Sequence, residues 1–162
     1  MSGHCEESCN HKVKRLSTHL RGKIEKIEQL LEILTSESTE GLPIIVEGKN
    51  DVSTLRSLGL EGTILCAKTA GKSRLDLLGK IEKEGYKEVI MLFDFDRRGR
   101  EWTETVKEDL EKVGVKPNLT FWNEMRMLAG REVKDVEGLA SYIETLYKKT
   151  GQTCVEKALK TR

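Results

Sequence analysis

The apolar run Val89–Phe93, which ends in Asp94 and Asp96, constrains the fold more than any other part of the sequence. A strand that is apolar on both faces is typical of a parallel sheet covered by helices. Side chains two positions apart on a strand point the same way, so Asp94 and Asp96 can share one ligand at the end of this strand. Two adjacent carboxylates repel each other unless a proton or a cation neutralises them, and their hard oxygen atoms suit Mg²⁺ or Mn²⁺.

From Pro43 onward, short apolar runs alternate with segments of helical periodicity. The runs predict strands at residues 43–46, 63–67, 89–93 and 118–122, and the periodic segments predict helices at 51–58, 73–84, 102–113 and 135–149. Strands separated by helices of this size form parallel βαβ units. The predicted fold class is therefore α/β, a compact Rossmann-like parallel sheet of about four strands flanked by helices.

An amphipathic helix is predicted before the first strand, over Ser17–Thr35, because its apolar residues recur at steps of three and four. These residues are Leu16, Leu20, Ile24, Ile27, Leu31 and Leu34. The stripe suits a dimer seam and packing on the sheet equally well. The predicted organisation is a disordered tail at 1–15, this helix and a linker at 16–41 (the linker over Thr35–Gly41), the α/β domain at 42–149, and a C-terminal tail at 150–162.

Length and composition limit the classes of function. With 162 residues, a net charge of +1 and 34% charged residues, the chain is not a polycation of the histone type. A local basic patch can still bind nucleic acid. No apolar run approaches the roughly 20 residues that span a bilayer, and no signal-peptide core is present, so we expect a cytoplasmic protein. The sequence does not indicate the oligomeric state.

The N-terminal segment carries His4, Cys5, Cys9 and His11 close together. Two thiolates and two imidazoles can hold zinc, but this spacing follows no common zinc-finger pattern. We therefore expect a disordered tail here, with zinc binding as the less favoured alternative.

Charged residues follow two of the predicted strands where each strand ends. Glu47 follows the first strand and is succeeded by Gly48 and Lys49, while Asp94 and Asp96 end a later one. In open parallel sheets, ligands bind at the carboxyl ends of the strands, so these groups are expected to meet there. A carboxylate pair with Mg²⁺ could position a phosphate, and a third acid could exchange a proton. The cluster Arg97, Arg98 and Arg100 follows directly and is expected to contact a polyanionic backbone.

A second basic segment, Cys66–Ser73, lies between a predicted strand and a helix. It resembles a phosphate-binding P-loop, but Cys66 replaces the first glycine, which that loop needs for its backbone freedom. Lys72 and Arg74, together with Lys68, are instead candidates for a basic rim that binds nucleic acid. An ordinary charged loop is the plain alternative.

The segments Val46–Asp51 and Leu92–Gly99 together resemble the Toprim domain. That domain occurs in type IA topoisomerases, bacterial-type primases, topoisomerase II, recombination mediators and 5S ribosomal RNA maturation nucleases. The resemblance spans about residues 42–146 and is strongest to small stand-alone archaeal Toprim proteins, with Lys134–Gly138 as a further short motif. No tyrosine matches the topoisomerase nucleophile, so strand passage is not expected.

The resemblance implies specific roles for individual residues. Glu47 would be the general acid/base. Lys49, placed beside it by the sequence and not by the resemblance, is a second catalytic candidate. Asp94 and Asp96 would bind Mg²⁺ or Mn²⁺ together with Glu47, and Asp135 would be a supporting acid.

The function that these roles imply is Mg²⁺-dependent action on nucleic-acid phosphodiester bonds, by a nuclease or an RNA-processing factor acting on RNA or DNA. The alternative is a non-catalytic nucleic-acid or ribosome-associated binding module that retains the metal site. A third possibility takes Asp94 and Asp96 as the motif of a haloacid-dehalogenase-type phosphatase. That motif normally lies on the first strand and has Thr or Val where this chain has Arg98.

Overall fold

The computed structural model describes the backbone of residues 4–69 and 71–151, and side chains from residue 18 onward within those ranges. Helices and strands alternate through most of this part of the chain. In chain order the elements are α1 His4–Thr39, β1 Ile44–Val46, α2 Lys49–Ser57, β2 Ile64–Cys66, α3 Arg74–Glu84, β3 Glu88–Leu92, α4 Arg97–Lys112, β4 Lys116–Asn118, α5 Thr120–Ala129 and α6 Leu139–Thr150.

The strands form one parallel sheet in the order β2-β1-β3-β4. Val46 of β1 lies opposite Cys66 of β2 and Leu92 of β3, so these three strands end level with one another. The chain runs outward from β1 to β2 and then returns past β1 to β3. The point where the strand order reverses therefore lies between β1 and β3, and crevices at such points are the usual ligand sites of this fold class.

The sheet separates two apolar cores, because successive strand residues point to opposite faces. Ile44 and Val46 face the core that α1, α2, α5 and α6 cover, while Ile45 faces the core that α3 and α4 cover. All three are completely buried. The predicted α/β class, with a parallel sheet flanked by helices and preceded by an N-terminal helix, is confirmed.

Helix α1 packs inside this fold. Its residues Ile24, Ile27, Leu31 and Leu34 are buried in the same core as α5 and α6. Polar contacts reinforce the packing, since the hydroxyl of Tyr147 on α6 donates to Glu28. The apolar stripe of α1 is thus buried within its own chain.

One predicted strand is wrong. The segment 118–122 was expected to be extended, but β4 covers Lys116–Asn118 and α5 begins at Thr120. The apolar residues Phe121, Trp122, Met125 and Ala129 recur at helical spacing and are all buried in the core. The side-chain oxygen of Asn118 accepts the Thr120 N–H at 3.1 Å, which supports the turn into the helix.

Several predicted boundaries also shift. Helix α1 spans His4–Thr39, so it begins inside the segment expected to be a tail and continues through most of the expected linker. Helix α6 begins at Leu139 instead of residue 135, because residues 135–138 form a turn in which Asp135 accepts the Gly138 N–H at 2.6 Å. Helix α3 begins as predicted near residue 73, where the Ser73 hydroxyl caps it by accepting the Asp76 N–H at 3.4 Å. Within the described residues, no helix is long and apolar enough to cross a membrane.

Candidate functional site

Glu47 and Asp94 lie side by side at the point where the strand order reverses. Glu47 directly follows β1, and Asp94 lies two residues beyond the neighbouring strand β3. Their carboxyl groups share a hydrogen bond. The structure thus brings together acids from these two strand ends, as the sequence predicted, in the pair Glu47 and Asp94.

The Asp94 carboxyl group is strongly perturbed. Burial, together with the hydrogen bond and negative charge of Glu47, raises the pKa of Asp94 from 3.8 to about 7. The backbone N–H of Val136 donates to its Oδ1 at 3.3 Å, which partly offsets this effect. Below about pH 7, the two carboxyl groups in contact thus carry a single negative charge between them unless a cation joins them.

Glu47 has a cationic partner, Lys68, at the end of β2. Burial alone would raise the pKa of Glu47, but hydrogen bonds with Lys68 and Asp94 and the positive charges of Lys68 and Arg98 lower it overall. The Lys68 ammonium also lies over the Trp102 ring, 4.9 Å from its centroid. Glu47 is therefore held ionised between a lysine and a protonatable aspartate.

Asp96 occupies a different position from the one the sequence suggested. It is exposed and serves as the N-cap of α4, where its Oδ1 accepts the Gly99 N–H at 2.7 Å. A carboxylate at this position also interacts favourably with the helix dipole. Within the part of the chain that the structure describes, no group of three His, Cys, Asp or Glu side chains is close enough to hold a metal ion. The structure thus brings together Glu47 and Asp94, with Asp96 on the adjacent turn.

Further acids surround this pair. Burial raises the pKa of Asp51, which accepts the Gly48 N–H at 3.0 Å, and the charges of Glu47, Asp135 and Glu137 contribute to that rise. Asp135, the predicted supporting acid, is exposed and lies near enough to act on Asp51 electrostatically. The negative potential extends across the ends of β1 and β3, which favours a bound cation.

Three features fix the backbone around Asp94. A Cβ on Gly99 would lie 2.1 Å from the carbonyl oxygen of Asp94, so only glycine lets α4 approach this closely. The buried Trp122 indole donates to the carbonyl of Phe93 at 3.0 Å. Phe95 N–H donates to the Lys134 carbonyl at 2.7 Å, which ties this turn to the loop before α6.

The structure places a different lysine against Glu47 from the one that follows it in the sequence. Lys49, the predicted catalytic lysine, is exposed and lines a cavity of about 520 Å³ between the end of β2 and α3. Lys68 is the lysine that contacts Glu47. Val46 pairs with Cys66, so the ends of β1 and β2 lie side by side and Lys68 lies close to Glu47. This pairing depends on the strand order, which cannot be read from local sequence.

The predicted basic residues are distributed around the acids. Arg98 is near enough to affect Glu47, whereas Arg97 pairs with Glu101 at 3.1 Å on the exposed face of α4. Arg100 is also exposed on α4. The remaining two predicted residues are on the loop after β2 and the start of α3, where Lys72 is exposed and Arg74 pairs with Asp109 at 2.6 Å.

The other sequence patterns contribute little to this site. The P-loop-like segment leads into the capping box of α3, in which the Ser73 hydroxyl contacts Asp76 at 3.0 Å. Phe121 and Trp122 are buried in the core, so they offer no exposed surface on which a base could stack. The His4, Cys5, Cys9 and His11 side chains lie outside those that the structure describes.

Comparison with known proteins places the chain in a family. It is 40% identical over 131 residues to a UPF0292 protein of Methanosarcina barkeri, a match that covers 81% of this chain and 90% of that relative. The chain belongs to the UPF0292 family. A UPF0292 protein of Methanocaldococcus jannaschii is 40% identical over 120 residues, covering 74% of this chain and 91% of the relative.

A family model for the Toprim domain matches residues 43–121 of this UPF0292 chain, and so includes Glu47, Asp94 and Asp96. A solved structure of a protein from Aquifex aeolicus superposes with a TM-score of 0.58 at 27% identity, covering 69% of this chain and 96% of that one. The predicted resemblance to small archaeal Toprim proteins is confirmed. The Toprim match indicates a metal-dependent function related to nucleic acid.

Proposed function

We propose that this UPF0292 protein is a Mg²⁺-dependent enzyme that hydrolyses phosphodiester bonds of nucleic acid, as a nuclease or an RNA-processing factor. The observation that carries the proposal is the contact between the Glu47 and Asp94 carboxyl groups at adjacent strand ends. Such a pair needs a proton or a cation between its members, and its oxygen donors suit Mg²⁺ or Mn²⁺.

Two carboxyl groups in contact offer oxygen donors that suit a divalent cation. Asp94 and Glu47 would hold it, and Asp96 would join them from the adjacent turn, since its helix-capping bond engages Oδ1 alone among its two oxygens. When bound, the ion would supply Lewis-acid stabilisation of a phosphate oxygen. Asp135 would support the site through its charge from the loop before α6.

The residues of the chain would carry the proton transfers. The lowered pKa of Glu47 keeps this group ionised at neutral pH, so its carboxylate would be available to take a proton from an attacking water. The water oxygen would then bond to phosphorus as the bond from phosphorus to the leaving sugar oxygen breaks, and Glu47 would pass the proton it took from the water to that leaving oxygen. Lys49 would be a second proton-transfer candidate from its exposed position at the start of α2.

Cations around the acids would bind the rest of the substrate. Acids alone would repel a polyanion, so arginine and lysine side chains are needed to bring it to the site. The proposed nucleic-acid contacts are Arg97, Arg98 and Arg100 at the start of α4, which follows Asp96, and Lys72 and Arg74, which line a cavity together with Lys68.

The test is Mg²⁺-dependent cleavage of RNA and DNA by purified protein. We expect Glu47→Gln to lower the rate by about 100- to 10,000-fold, since general acid–base catalysis contributes that much. Asp94→Asn should weaken Mn²⁺ binding, and Glu82→Gln, an exposed carboxylate on α3, is the matched control. Full cleavage activity in both site variants would refute these assignments.

A second candidate is a nucleic-acid or ribosome-associated binding module without turnover. Two features favour it: Glu47 is already paired with Lys68, and Asp96 is engaged as a helix cap. This function predicts salt-sensitive binding to nucleic acid with no cleavage at any divalent ion concentration. A small chromogenic phosphate ester, assayed in parallel, tests the phosphatase alternative.

A further inference from the structure

We propose that Lys68 is the phosphate-binding lysine of this site, and that the cavity beside it receives a backbone phosphate of the nucleic acid next to the reacting one. The inference rests on the proposed function, because it gives that function a substrate position. The sequence predicted Lys68 only as part of a basic rim, whereas its contact with Glu47 gives it a defined place beside the acidic pair.

The backbone fixes where the Lys68 side chain begins. Beyond the last paired residues of β1 and β2, the Lys68 N–H still donates to the carbonyl oxygen of Glu47 at 2.9 Å. The α-carbons of the two residues therefore lie at adjacent strand ends. A lysine at this position reaches the acidic pair without any movement of the main chain.

Two groups hold the ammonium of Lys68 in place while leaving it accessible. It pairs with Glu47 and lies over the Trp102 ring, which in turn packs edge-on against Phe93 with the ring centroids 6.1 Å apart. The Lys68 side chain is nevertheless 35% exposed. A partly exposed ion pair contributes little to stability, so this arrangement is better explained as positioning the ammonium.

The cavity beside Lys68 has the charge of an anion site. Its volume is about 480 Å³, and among the described residues its walls come from Ala67, Lys68, Thr69, Lys72, Arg74 and Trp102. Three of these carry positive charge and none is acidic. Lysine binds phosphate as a point charge, and the space is within the range of small-ligand sites.

The occupant is a phosphate and not a base. The Lys68 ammonium covers a face of the Trp102 ring, so a base could stack there only by displacing a favourable cation–π contact. Arg74 pairs with Asp109 and Lys68 pairs with Glu47, and Lys72 adds a further positive charge to the same walls.

The other basic cavity is a weaker candidate. It contains Lys49, Lys72 and Lys80, but the acidic Asp76 also lines it, and it lies on the outer side of the edge strand β2. Of the two cavities, the one with Lys68 is next to Glu47. A strand whose phosphate binds there would run across the ends of β2, β1 and β3, directly over the proposed reacting position.

The experiment is binding of a short fluorescein-labelled single-stranded RNA, and DNA of the same sequence, measured over a series of salt concentrations. We expect Lys68→Met to weaken binding and to lower the slope of log K against log salt by about 1. Lys68→Arg should keep the wild-type slope. Trp102→Leu should weaken binding with an unchanged slope, because it removes the support of the ammonium without removing a charge.

Two controls separate this role from a structural one. Lys83→Met removes an exposed lysine in the last turn of α3, at the far end of the sheet, and should leave binding unchanged. Titration with Mn²⁺ alone should show that Lys68→Met binds the ion at least as tightly as wild type, because a repelling charge has been removed. That result also verifies that the acidic pair is intact in the variant.

The outcomes distinguish the two proposals. If wild type binds nucleic acid and Lys68→Met has the same affinity and salt slope, the inference about Lys68 is wrong while the proposed function stands. If Lys68→Met loses Mn²⁺ binding, the lysine is structural and the inference is also wrong. Wild type that binds without cleaving would overturn the catalytic proposal alone, and wild type that binds no nucleic acid would overturn both.

Discussion

The carboxyl groups of Glu47 and Asp94 share a hydrogen bond across the boundary between β1 and β3, although the two residues are far apart in the chain. The environment of this contact shifts the pKa values of two chemically similar groups in opposite directions. The pKa of Glu47 is lowered and that of Asp94 is raised to about 7, so one group is ionised while the other holds a proton below neutral pH. Pairs of acids whose environments separate their pKa values are typical of functional sites.

The raised pKa of Asp94 predicts how the stability of the metal-free protein depends on pH. Between 3.8, the ordinary value, and about 7, the folded state keeps a proton that the unfolded state has lost. The free energy of unfolding contributed by this group therefore falls as pH rises through that window. The lowered pKa of Glu47 acts with the opposite sign at more acidic pH.

Asp94→Asn should remove the Asp94 part of this dependence, because asparagine does not titrate. The measurement is urea unfolding in the presence of a chelator at several pH values, with Glu82→Gln as the control. A wild-type profile that Asp94→Asn leaves unchanged would contradict the assignment of the raised pKa to Asp94.

Gly99→Ala should damage the site through packing alone. The new methyl group would lie 2.1 Å from the Asp94 carbonyl oxygen, so α4 or the Asp94 turn must shift. We expect a loss of about 1–3 kcal/mol in the free energy of unfolding, as for other over-packed positions. Mn²⁺ affinity should fall as well, because Asp94 moves.

Gly79→Ala is the matched control for this substitution. Gly79 lies inside α3, and a Cβ there would meet nothing within 4 Å. Alanine should stabilise the protein by about 0.5–1 kcal/mol, because it is the better helix former. Equal effects of the two substitutions, measured by urea unfolding, would show that the close approach of Gly99 to Asp94 has no consequence.

Trp122→Phe should destabilise the protein by about 1–3 kcal/mol, because the buried carbonyl of Phe93 loses the indole donor that lies 3.0 Å away. Trp102→Phe, at a half-buried position on α4, should cost less by the same unfolding measurement. If the two variants lose the same stability, the Trp122 hydrogen bond does not support the strand end before Asp94.

The regular elements of this fold were largely predictable because they follow from local pattern. The apolar strand ending at Asp94, the cap at Ser73 and the amphipathic α1 all follow from hydrophobic periodicity or capping chemistry that a short window of sequence contains. The wrong strand prediction at 118–122 also arose from reading a short window of sequence. Phe121 and Trp122 next to each other fit a strand, and only the later Met125 and Ala129 reveal the helical spacing.

The sequence by itself determined the α/β class, the acids at the ends of β1 and β3 and the Toprim resemblance, since each depends on residues close together in the chain. Tertiary structure alone decided which charged groups touch. The order β2-β1-β3-β4 brings Lys68 to Glu47 and leaves Lys49 outside, and the start of α4 turns Asp96 into a helix cap. Such contacts depend on strand order and on the packing of distant segments, which local periodicity does not encode.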